Sequence, residues 1–155
     1  MKLFAFTSPA QGFSLVELMV TVALVGILVS IGAPAYRTMI EGQRVKSATV
    51  DLHSALVLTR SEAVKFNKKV TLSPAADGWS SGWSVASPIA GEPALLTHSQ
   101  SSGVAITGPA GAITFSASGR AQNIEFEVTS DEDTSQVRCV QLDTSGRASS
   151  KTGGC

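Results

Sequence analysis

Three patterns of apolar and polar positions follow one another along this chain. From Phe13 to Ala33 the residues are apolar almost without interruption: beyond Leu18 only Thr21 and Ser30 are polar, and the charge in the run is Glu17. About 20 such residues span a ~30 Å hydrocarbon core at ~1.5 Å of helix per residue. A carboxylate at that depth costs roughly 2.5–3.5 kcal/mol on insertion scales, which marks Glu17 as a candidate functional residue. After Pro34 the period changes. Apolar or small residues recur three and four apart at Val45, Ala48, Leu52, Ala55, Thr59, Ala63 and Phe66, with Arg44, Lys46, Asp51, Glu62 and Lys65 on the other sides. That spacing predicts an amphipathic helix laying one stripe on a core. The economical reading is one helix over residues 14–66, kinked or loosened at Pro34, which lacks an N–H. Asn67, Lys68 and Lys69 suit its C-terminal end, where cations complement the dipole.

Past Phe66 the period falls to two, with turn residues between short runs. Strands are expected over residues 70–73, 82–86, 95–98, 104–107, 112–116, 124–129 and 137–142. Pro74 is expected to stop the first, and Ala76-Asp77-Gly78 to form a turn. Residues 124–129 alternate cleanly, as a strand with one buried and one wet face does. Trp79 and Trp83 are expected as core or turn-packing aromatics. A long helix followed by antiparallel strands predicts the α+β class.

Composition removes several functions. The chain has 155 residues with 12 basic and 12 acidic side chains, so no global field draws it to nucleic acid or anionic lipid, and any such binding needs a local patch. No nucleophile elbow, phosphate loop or metal-ligand spacing is present, and His53 and His98 are far apart in sequence. The expectation is a protein that is not an enzyme and has no catalytic residues, cofactor or metal.

The flanks of the apolar run identify its kind. A secretory signal peptide carries its cleavage site after the apolar region, whereas here a short polar leader precedes it. The run Gly12-Phe13-Ser14-Leu15-Val16-Glu17 resembles the prepilin leader of type IV pilins and type II secretion pseudopilins. The resemblance implies cleavage by a prepilin peptidase between Gly12 and Phe13, methylation of the new amine on Phe13, and Glu17 at the fifth mature position. It also implies that Glu17 pairs with the N-terminal amine of a neighbouring subunit and sets register during assembly, since a buried carboxylate needs a positive partner. The domains expected are a leader at 1–12, a transmembrane and filament-core half-helix at 13–34, and a periplasmic pilin-like domain at 35–155. Lys2 alone in the leader, against Arg37, Arg44 and Lys46 after the helix, does not favour export by charge count. Export therefore rests on the prepilin resemblance and on the cysteines. The expected place is the bacterial inner membrane, single-pass, with incorporation into a pilus or pseudopilus.

In an exported small domain the even count of two, Cys139 and Cys155, favours a disulfide enclosing about 15 residues, worth ~3 kcal/mol by chain entropy. Two lone cysteines lack the four-ligand set of a structural zinc site. Further along, Arg60-Ser61-Glu62-Ala63, then Val70-Thr71-Leu72-Ser73 and Gly82-Trp83-Ser84-Val85, resemble the GspH/FimT family of minor pilins and H-type pseudopilins. Some members of that family resemble DNA receptors with a Gly-Arg-x-Arg motif. Here the equivalent is Gly146-Arg147-Ala148-Ser149, so the second arginine is missing. Arg147, Lys151 and Arg138 are the candidate contacts for double-stranded DNA, giving at best weak and salt-dependent binding. Ser118-Gly119-Arg120-Ala121 echoes Ser145-Gly146-Arg147-Ala148 and is expected to mark another turn. The resemblance points to a minor type IV pilin that primes or caps pilus assembly with other pilins as partners, with DNA uptake as a further role. An H-type pseudopilin and a pilus-tip DNA receptor are the alternatives.

Overall fold

The computed structural model describes residues 12–99 and 102–155. Of the expected leader only Gly12 lies among them, and residues 100 and 101 of the linker before the fourth strand lie outside. The chain divides into two units, Met1–Arg37 and Thr38–Cys155. One helix, α1 (Leu15–Phe66), belongs to both. It starts at Ser14, whose Oγ accepts the Glu17 N–H at 3.1 Å and so satisfies one of the donors a helix start leaves open. It is helical through residue 34, so the missing donor of proline does not end it. It closes at Asn67, which takes a left-handed φ of 50°. The Asn67 N–H reaches the Val64 carbonyl at 3.2 Å and the Lys68 N–H that of Ala63 at 3.1 Å, a Schellman closure.

The expected stripe of α1 is the buried one. Val45, Ala48, Leu52, Ala55, Thr59 and Ala63 are all buried, and Thr49 and Leu56 widen the stripe. The two threonine hydroxyls are satisfied one turn back, Thr49 on the Val45 carbonyl at 2.7 Å and Thr59 on that of Ala55 at 2.6 Å. Phe66 is only half-buried, with the Lys65 Nζ 4.9 Å above its ring.

Eight strands follow: β1 (Val70–Ala75), β2 (Gly78–Val85), β3 (Leu96–Ser99), β4 (Val104–Thr107), β5 (Ile113–Phe115), β6 (Ile124–Ser130), β7 (Val137–Leu142) and β8 (Ala148–Thr152). They form two antiparallel sheets, ordered β3-β2-β1-β5 and β4-β6-β7-β8. Buried residues of both sheets and of the α1 stripe make one core, with Trp83, Phe115, Phe126 and Leu52 among its largest side chains. The architecture is α+β, as expected.

Three strand expectations need correction. Pro74 does not stop β1: the strand continues to Ala75, with a register shift between the two residues. Proline is tolerated there because β5 pairs only with Val70, Thr71 and Leu72, so Pro74 has no neighbour on one side to which an N–H is owed. Next, β2 begins at Gly78 rather than Gly82, so Trp79 and Trp83 share one strand. Gly82 hides this from a pattern reading, since it interrupts the alternation. A Cβ on it would collide with the His98 carbonyl of β3, and its φ is 121°. Finally, β8 was not expected at all. Its Ser149, Ser150, Lys151 and Thr152 carry no apolar alternation, and the strand exists through its ladder to β7.

Candidate functional site

Three places hold the residues singled out above. At the N-terminal end, Gly12 is exposed and Phe13 is 77% exposed. Glu17 stands exposed in the first turn of α1, where a carboxylate also complements the helix dipole. From Phe13 to Ile31 the large apolar side chains are exposed all round, and the helix is long and apolar enough to cross a membrane.

The second place is the outer side of the C-terminal half of α1. Val50, Val57 and Val64, seven residues apart, are 54%, 49% and 51% exposed. Ser47, Ser54 and Ser61, also exposed, interleave with them at steps of three and four. This half-helix is therefore apolar on two sides, of which its own sheets cover one. Leu58, Ser54, Val57 and Ser61 line a shallow depression of about 420 Å³ with His53, whose Nε2 lies 3.3 Å from the Ala148 carbonyl at the start of β8. Sequence reading missed this second stripe because its serines read as an ordinary wet face. Glu62 is also less exposed than expected, at 14%, and bridges Lys65 at 3.3 Å.

The third place is the C-terminal sheet edge. Cys139 and Cys155 are bonded, with Cα atoms 5.1 Å apart, as expected. Residues 143–147 turn tightly from β7 to β8. The Asp143 Oδ1 accepts from the Ser145 N–H (2.8 Å), the Ser145 hydroxyl (2.6 Å) and the Arg147 N–H (3.0 Å). These hydrogen bonds, the Ser145 side chain first and the Arg147 backbone next, hold the Asp143 carboxyl below the ordinary carboxylate range. Residues 116–120 make the same turn. Ser116 replaces Asp143, and its Oγ accepts the Arg120 N–H at 3.1 Å. In both turns the glycine, Gly119 or Gly146, takes a positive φ (74° and 78°) and donates to the first residue's carbonyl. The echo in the sequence thus marks two copies of one turn, and the copies touch. A Cβ on Gly146 would collide with the Gly119 carbonyl oxygen, and the Arg60 Nε donates to that same oxygen at 3.2 Å. Arg60 of the family-like segment is a clasp between α1 and both turns, a role that sequence spacing could not reveal.

The three candidate DNA contacts do not converge. Lys151 pairs with Cys139 on the outer face of the second sheet, whereas Arg138 pairs with Thr152, so the alternation of the strand sends it to the opposite face. Glu127 pairs with Cys139 from the other side, on the same face as Lys151. Arg147 lines a depression of about 430 Å³ with Glu125, Asp143, Asn123, Gln141 and Ser149. Trp79 and Trp83 are buried: the Trp79 Nε1 donates to the Pro109 carbonyl at 2.7 Å, and Trp83 stacks on His98 at 4.1 Å. Among the described residues no cluster of three or more His, Cys, Asp or Glu is arranged to hold a metal ion.

A family model described as Type II transport protein GspH matches residues 48–146. A second, described as Prokaryotic N-terminal methylation motif, matches residues 7–33. Among solved structures, the type IV minor pilin FimU of Pseudomonas aeruginosa is similar with a TM-score of 0.63 at 21% identity, over 73% of this chain and 92% of that one. The minor pseudopilin EpsH from the Type 2 Secretion System of Vibrio cholerae is similar with a TM-score of 0.58 at 11% identity, over 70% of this chain and 97% of that one. At such identities the likeness is one of fold. No curated protein matches the chain.

Proposed function

This chain belongs to the type II transport protein GspH family and carries the N-terminal methylation motif, and on that basis we propose that it is a minor type IV pilin that primes or caps pilus assembly. The observation that carries the reading is the helix. Its first half exposes apolar side chains on every side, and its second half keeps an exposed valine stripe opposite the stripe its own sheets bury. Such a helix is completed by a membrane first and by other helices afterwards.

In this reading a prepilin peptidase cuts between Gly12 and Phe13, removing residues 1–12, and the Phe13 amine is methylated. Residues 13–34 lie in the inner membrane and then in the filament core, and residues 35–155 form the periplasmic domain. Glu17 pairs with the N-terminal amine of a neighbouring pilin, the charge compensation that a carboxylate in an apolar bundle requires. The test is Glu17→Ala in cells. Leader cleavage should persist while incorporation into sheared pili is lost; normal incorporation would overturn the assembly role.

The family description favours one alternative, an H-type pseudopilin of a type II secretion system. Deletion strains separate the two: loss of surface pili with normal secretion supports the pilin, and the reverse supports the pseudopilin. A DNA-receptor role through Arg147, Lys151 and Arg138 ranks below both. The face that carries Arg147 and Lys151 also carries Glu125, Glu127 and Asp143, and these carboxylates oppose phosphate.

A further inference from the structure

The exposed side of the C-terminal half of α1 carries an unbroken seam. Ser47, Val50, Ser54, Val57, Ser61 and Val64 follow one another at alternating steps of three and four, and all are exposed. That alternation repeats every seven residues, the spacing that holds one helix face against a second helix through a left-handed supercoil. The buried residues of this half, Val45, Leu52 and Thr59 at their centre, occupy the opposite side. The core of the domain therefore makes no use of the seam.

The relief of this surface has the matching form. When two helices supercoil, each side-chain knob enters a hole framed by four residues of the facing helix. On one helix face such a frame is made by positions i, i+3, i+4 and i+7, which lie side by side. The depression of about 420 Å³ is framed by Ser54, Val57, Leu58 and Ser61, with His53 beside them. A second, of about 510 Å³, is framed by Val57, Arg60, Ser61 and Val64, with Lys65 beside them. Both frames have the i, i+3, i+4, i+7 spacing, and they share Val57 and Ser61. They are two successive holes, one frame three residues beyond the other, ~4.5 Å along the axis.

The flanks of the seam decide what can lie in it. Arg44, Lys46, Arg60 and Lys65 border it, against one acid, Asp51. Arg60 gives its Nε to the Gly119 carbonyl and keeps its charge. Lys65 bridges Glu62 at 3.3 Å, but its side chain is 63% exposed, and a surface bridge of that kind holds it weakly. From these observations we infer that the seam receives a helix of a different protein, one with leucine-sized knobs at heptad spacing and carboxylates on both flanks. Large knobs are required because every second seam position is a serine, which leaves the holes open, and a small knob would forfeit the packing contacts. A second copy of this chain is a poor occupant: it offers only serine and valine knobs and sets Arg60 and Lys65 against cations of its own kind. The inference deepens the assembly reading and rests on it for the presence of a partner helix.

Fluorescence anisotropy of a labelled three-heptad peptide, added to the full chain in detergent micelles, tests the seam. The peptide carries Leu at the seam positions and Glu at the flanking ones; its twin carries Lys there instead, and micelles without protein give the background. The Glu peptide should bind saturably and about tenfold or more tighter than the Lys peptide, with the gap closing in high salt. Val57 lines both holes, so Val57→Ser should weaken the Glu peptide about tenfold while the fold, read by circular dichroism, is kept. Equal binding of the two peptides, binding of neither, or a Val57→Ser variant that binds like the wild type overturns the inference. So does sedimentation of the full chain as a dimer that Val57→Ser dissociates, which assigns the seam to a second copy. The assembly reading fails separately, through normal incorporation of Glu17→Ala, which leaves the peptide result unchanged.

Discussion

Leu15 and Leu28 on the first half of α1 are 74% and 70% exposed, whereas Leu52 and Leu56 on the second half are at most 1% exposed. The backbone conformation is the same, and leucine is as apolar in one place as in the other. What differs is who supplies the burial. The second half finds two sheets within its own chain, and the first half must find a bilayer or other helices. The valine stripe at Val50, Val57 and Val64 shows both situations within one stretch of helix, because it faces away from the sheets that cover its neighbours.

That contrast predicts a dissociation between assembly and stability. The largest effect is the all-or-none loss of incorporation expected for Glu17→Ala, with the melting temperature of the Thr38–Cys155 unit unchanged. On the second half, Leu52→Ala should cost about 2–5 kcal/mol by emptying a buried site, read by denaturant unfolding. Val57→Ser should cost within about 0.5 kcal/mol yet lower incorporation. A Val57→Ser variant that unfolds like Leu52→Ala would end the distinction between the two sides of the helix.

Within the sheets the expected effects concern stability alone. Cys155→Ser should cost about 3 kcal/mol by opening the loop to Cys139; an unchanged melting temperature under oxidising conditions would reject that contribution. Gly146→Ala should cost about 1–3 kcal/mol through its left-handed backbone alone, with more from the collision against Gly119. Smallest is Asp143→Asn. The stability from Asp143 is present above its unfolded value near 3.8 and lost as pH falls through its lowered native value. The variant should therefore show a flatter acid limb in a plot of melting temperature against pH.

The helix was legible because its evidence is local. The unbroken apolar run, the three-and-four spacing from Val45 to Ala63 and the Asn-Lys-Lys ending all lie within one segment. Six of the strands were legible near their true bounds for the same reason. The seventh expected strand began late, because Gly82 breaks the alternation for the sake of a close approach to β3. The eighth, β8, has no apolar signal of its own. Among the candidate residues, the disulfide followed from count and compartment. Arg138 was grouped with Lys151 by proximity in sequence, although their strand register sends them to opposite faces.

By itself the sequence determined the elements whose stability is written in their own residues: a membrane-length apolar helix with one acid, an amphipathic continuation, a β-rich remainder and a pair of cysteines. The tertiary structure alone decided which residues from distant segments share a surface. It stacked the turns at Gly119 and Gly146 against Arg60, and it separated Arg138 from Lys151. The physical reason is that periodicity reports which side of an element is apolar, whereas contacts between elements depend on sheet order and register, which are settled only when the common core is packed.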